Sequence, residues 1–141
     1  MEIKPPVSRK SGEEQVLTPW RSLSQPDPGR QYVALLTALG LQRARDVPLL
    51  FWHTWRIWGQ LRKSRGLVGY SLRAELLSQR FWTLSAWEDE LTLQAFVRTL
   101  PHVRIMKVMA PRTRANSFLR WTILGADLPP RWDDALARAR A

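Results

Sequence analysis

The chain has 141 residues, of which 45% are hydrophobic and eight are tryptophan, enough for one domain with a packed core. It contains no cysteine, which excludes disulfides, thiolate metal sites and cysteine nucleophiles. The net charge of +10 is spread along the chain, with 13 basic and 9 acidic residues up to Val97 and 9 and 3 from Arg98 onward, so a solvated basic face is expected rather than a nucleic-acid or membrane-binding patch.

The opening MEIKPPVSRKSGEEQ has no apolar segment, and no later run of about 18 apolar residues could cross a bilayer. A cytoplasmic protein is the expectation. Residues 1–30 hold Pro5, Pro6, Pro19, Pro26, Pro28 and Gly29 with little periodicity, which predicts an extended arm that Trp20 and Leu23 dock onto the domain or onto a second subunit. Residues 31–141 form the domain.

The run YVALLTAL (32–39) predicts a first strand closed by Gly40. Asp46 reads as the N-cap of a helix with Pro48 in its first turn. That helix should reach about Ser64, with Leu50, Phe51, Trp55, Trp58 and Leu61 as its apolar stripe. The tryptophans at 52, 55 and 58 are expected to pack in the core or a dimer interface, with an aromatic platform for a flat ligand as the alternative. His53 reads as structural or exposed, because nothing at metal-ligand spacing accompanies it.

LVGYSLR (67–73) follows Gly66 as a second strand, with Val68, Tyr70 and Leu72 on one face, and Arg80–Trp87 is its antiparallel hairpin partner. Glu88, Asp89 and Glu90 open a helix over 89–99, where carboxylates complement the dipole. Pro101 predicts a break and a further helix over 101–111. FLRWTIL (118–124) is a fourth strand, followed by a proline turn and a short helix over 132–140 capped near Asp133.

The order βαββαβ is the ferredoxin-like α+β plan, with helices on one face of a four-stranded antiparallel sheet. The other face needs cover, and a homodimeric barrel supplies it economically. His102 sits just past the start of a helix, where the dipole favours the neutral imidazole that a metal ligand or general base requires. The bland alternative is a histidine packing at a helix bend.

Several residues carry a resemblance to a known family. The segment SxWED at 85–89, Phe96 nine residues after Trp87, and Pro101-His102 resemble spheroidene monooxygenase and its bacterial relatives in the dimeric α+β barrel superfamily, which includes antibiotic-biosynthesis monooxygenases. SRGLVGYSL and the ending FLRWTILGADLPPRWDDALAR are similar to its strand entry and terminal strand, turn and helix. The resemblance covers roughly 32–138. It implies oxygen insertion into an apolar small molecule, with haem or without a cofactor, and His102 as catalytic residue or haem-iron ligand. Arg73, Arg98 and Arg104, with Lys107 nearby, would then pair with acidic groups such as haem propionates. Tyr70, Thr83, Ser85, Trp87 and Phe96 would line the substrate pocket. Two alternatives stay open: a non-catalytic barrel that holds a hydrophobic ligand, and a basic adaptor for nucleic acid or membrane.

Overall fold

The computed structural model describes residues 8–10, 13–98 and 102–140. Its strands are β1 (Ser8–Lys10), β2 (Glu13–Leu17), β3 (Arg21–Ser22), β4 (Gln31–Leu41), β5 (Leu67–Glu75), β6 (Arg80–Trp87) and β7 (Thr113–Leu124). The helices are α1 (Val47–Leu61), α2 (Glu90–Arg98), α3 (His102–Met109) and α4 (Trp132–Arg140). All pairings are antiparallel, in the order β1-β2-β5-β6-β4-β7, with β3 also on β5. Strands β5-β6-β4-β7 are the ferredoxin-like sheet. Here β6 turns back from β5 into the gap between β5 and β4, so every neighbour is antiparallel although α1 crosses over the sheet.

Residues 13–22 add short strands to the β5 edge, and Trp20 lies over Gly69, where even a Cβ would come within 2.5 Å of the indole. The side-chain pattern then builds two cores. Leu61, Leu67, Tyr70, Trp87, Leu93 and Phe96 form one apolar cluster under α1 and α2, and Leu41, Leu50, Ile105 and Met109 form another under α1 and α3. On the opposite face Leu36 and Leu84 pack against Ala135 of α4, while Tyr32, Val68 and Ala86 pack with Trp20 and Leu128. The second sheet face is thus covered in part by this chain's own α4.

Strand β6 and α4 fall where the sequence places them. Other details differ. Gly40 lies inside β4, because its missing Cβ leaves room for Arg114 at a register shift between Ala38 and Gly40. Strand β7 begins at Thr113, five residues before the expected start, since Arg114 still bonds the Leu41 carbonyl across the pair. Val68 faces Trp20 rather than sharing a face with Tyr70, because the β5–β6 register shifts between Leu67 and Gly69. Asp46 makes no side-chain cap; its carboxylate pairs with Arg112 at 3.6 Å. Asp89 does cap α2, accepting the Thr92 N–H at 2.8 Å. The predicted break at Pro101 lies outside the described residues.

Candidate functional site

Between the sheet and α1–α3 lies a cavity of about 850 Å³, within the range of small-molecule sites. Strand alternation supplies its floor. Thr83, Ser85 and Trp87 on β6 project to the helical side, next to Leu35, Thr37 and Leu39 of β4. The roof comes from α1 (Leu50, His53, Ile57, Leu61), α2 (Leu93, Phe96, Val97) and α3 (His102, Ile105, Met109). Lining residues that are themselves exposed mark its mouth: Phe51, Trp55, Met106 and Phe118.

His102 is half-buried at one end. Its ring centroid lies 4.7 Å from that of Phe96, which is 5.2 Å from that of Trp87. Nδ1 is 3.3 Å from the Val97 carbonyl oxygen, so an Nδ1–H donates there, and among the described residues nothing engages the Nε2 lone pair. Burial lowers the His102 pKa, against the opposing hydrogen bond to Val97, and keeps the ring neutral at pH 7. Gln60 fixes its position. The Gln60 amide donates to the Phe96 carbonyl at 3.1 Å, and its oxygen accepts the His102 N–H at 3.0 Å. A single side chain of α1 thereby ties down the end of α2 and the start of α3.

The structure brings His102, Thr83, Ser85, Trp87 and Phe96 together around this cavity. Ser85 accepts the Trp87 indole N–H at 3.0 Å, which orients the indole against Phe96. Tyr70 is buried in the wall with Trp58, ring centroids 6.5 Å apart, rather than at the cavity surface. Arg73 borders the cavity, but its guanidinium pairs with Glu75 at 3.3 Å and stacks on Trp82. Arg98 and Arg104 are exposed and lie outside the lining. Arg120, which the sequence reading passed over, is the second guanidinium at the cavity, and it pairs with Glu90.

A haem would fit these residues at one end only. His102 offers an uncommitted imidazole nitrogen, yet two of the three arginines expected for its propionates do not reach the cavity and the third is engaged. Among the described residues no three His, Asp or Glu side chains gather as a metal site.

The stripe of α1 is rotated from the expected one. Leu50, His53 and Leu61 are buried, whereas Phe51, Trp52 and Trp55 are more than half exposed. His53 therefore belongs to the cavity. The spacing 50, 53, 57, 61 held the signal, but the bulk of the flanking aromatics obscured it.

The fold is ferredoxin-like α+β, and several solved structures share it. An uncharacterised ferredoxin-fold protein from Listeria monocytogenes, described as related to antibiotic-biosynthesis monooxygenases, superposes with a TM-score of 0.56 over 80% of this chain and 66% of its own, at 16% identity. A candidate monooxygenase from Fusobacterium nucleatum gives 0.68 over 79% of this chain at 7% identity; this chain spans about half of that protein, 51%. SnoaB, a cofactor-independent oxygenase from Streptomyces nogalater, gives 0.53 over 66% of this chain and 93% of its own, at 10% identity. No protein-family model matches the chain, and no curated protein matches its sequence closely.

Proposed function

We propose that the chain binds an apolar small molecule in the cavity between the sheet and α1–α3 and oxygenates it, with His102 as the catalytic residue. The observation that carries this is the neutral His102 imidazole, its Nε2 uncommitted, at the wall of a large and mostly apolar cavity. A neutral imidazole can accept a proton from an activated C–H of the substrate; the carbanion adds to dioxygen, and the hydroperoxide formed on return of the proton loses water, leaving one oxygen atom in the product. The surrounding rings exclude water from such an intermediate. That several proteins of the same fold are described as oxygenases supports the reading.

In a haem-dependent version, His102 Nε2 would hold the iron, and haem would supply dioxygen activation. A homodimer belongs to the same proposal. Its support is the exposed Phe118 and Leu124 on the edge strand β7, since α4 and Trp20 already cover part of the second sheet face.

The test is mass spectrometry of the ligand that copurifies with the protein, before and after incubation under ¹⁸O₂. Wild type should add ¹⁸O to it and His102→Ala should not. A ligand retained unchanged in both would make the protein a binding barrel without turnover. Titration with haemin separates the two versions: a Soret shift that depends on His102 supports ligation, and an identical spectrum in His102→Ala rejects it.

A further inference from the structure

His53 is 7% exposed and lines the same cavity, and no described residue bonds either of its ring nitrogens. A core histidine ordinarily commits at least one nitrogen to a neighbour, because a buried polar atom without a partner costs stability. Leu50 and Ile57, one turn to either side of it on α1, and Ile105 and Met109 of α3 line the same cavity, and none of the four carries a side-chain N–H or O–H. Burial, with a further contribution from the positive charges of Arg56 and Arg112, lowers its pKa and favours the neutral ring. A neutral imidazole presents one N–H donor and one lone pair.

The two imidazoles stand apart. His102 is tied by its amide to Gln60, and Gln60 lies seven residues beyond His53 on α1, which is about 10 Å along the helix axis. Both histidines line one cavity, with Ile57 between His53 and Gln60 along α1, so a single mostly apolar space reaches from one histidine to the other. We propose that His53 is a specificity residue: it hydrogen-bonds an uncharged hydroxyl or carbonyl at one end of an elongated, mainly hydrocarbon ligand whose reacting end lies at His102. A cation is disfavoured there, since the positive charges of Arg56 and Arg112 act on the same end of the cavity. This rests on the cavity being the ligand site.

The test uses two fluorescent probes of one skeleton, 1-pyrenemethanol and 1-methylpyrene, followed by energy transfer from tryptophan in the intact protein. Wild type should bind the alcohol about threefold to tenfold more tightly than the methyl compound, the worth of one net hydrogen bond. His53→Leu should bring that ratio to one while keeping affinity for 1-methylpyrene, and should raise Tm, because it removes an unpartnered polar group. His53→Gln, which retains a donor and an acceptor, should keep the preference. Equal affinities in wild type, or a preference that survives in His53→Leu, would overturn the role of His53 and leave the cavity reading intact. Failure of both probes to bind any variant would overturn the cavity reading and this inference with it.

Discussion

Gln60 offers the sharpest test of how the site is held. Among the described residues its side chain makes two part-buried hydrogen bonds, to Phe96 and His102, which lie 36 and 42 residues away in sequence. Replacement by methionine keeps the length and apolar stem but removes both bonds, leaving a carbonyl and an amide in a partly dry corner. At about 0.5–1.5 kcal/mol for each bond, Gln60→Met should cost about 1–3 kcal/mol. Gln60→Glu keeps the acceptor for the His102 N–H but turns a carboxylate oxygen toward the Phe96 carbonyl, so it should be less stable than wild type. Urea unfolding followed by tryptophan fluorescence measures the stability change, and amide exchange at His102 reports the local loosening. A Gln60→Met variant within about 0.3 kcal/mol of wild type, with His102 exchange unchanged, would refute the claim that this side chain positions the histidine.

Three further outcomes follow from the packing and the buried imidazoles. Leu84→Ala, at a fully buried position against Leu36 and Ala135, should destabilise by about 2–5 kcal/mol in urea titration, and its loss should leave the cavity on the other face intact. Gly66→Ala should cost about 1–3 kcal/mol, because Gly66 has φ of +83° and a Cβ would lie 2.5 Å from Thr92. Burial holds both His53 and His102 below the ordinary pKa of 6.5, so the unfolded chain binds protons more readily than the folded one. Their neutral forms therefore favour folding fully above about pH 6.5, and that contribution should be lost as pH falls through the lowered values. The double variant His53→Gln, His102→Gln should show a flatter decline in Tm between about pH 7 and 5 than wild type.

Element order was legible because strands and helices in this chain differ in period and are punctuated by glycine, proline and acidic starts. Arg80–Trp87 is a run of strand length with aromatic residues on both faces, closed by the acidic helix start at Glu88–Glu90, and its bounds match the sequence reading. What the sequence hid were features set by pairing across distance. The shift at Val68 exists because β6 and the Trp20 indole meet β5 from opposite directions, and nothing local announces it. The long start of β7 depends on Arg114 reaching Leu41 and Ser78.

The site divides in the same way. Thr83, Ser85 and Trp87 share a strand face by simple alternation, and Phe96 and His102 follow at the α2–α3 corner. Arg98 and Arg104 were expected from charge alone, and a guanidinium's sign does not say which side of a helix it takes. His53 was missed because hydrophobic bulk drew the stripe of α1 toward Phe51 and Trp55. Those rings lie at the mouth, with Trp52 and Trp55 centroids 5.6 Å apart.

The central claim is that ligand enters the space between the sheet and α1–α3. Methyl-resolved NMR titration with 1-methylpyrene tests it most directly. Ring-current shifts should appear at Leu35, Leu50, Ile57 and Ile105, which line the cavity from three elements, and should saturate at one probe per chain. Saturable binding seen by tryptophan fluorescence, with the methyl groups of those four residues unmoved, would contradict the claim and turn attention to the exposed Trp52 ring on the outside of α1.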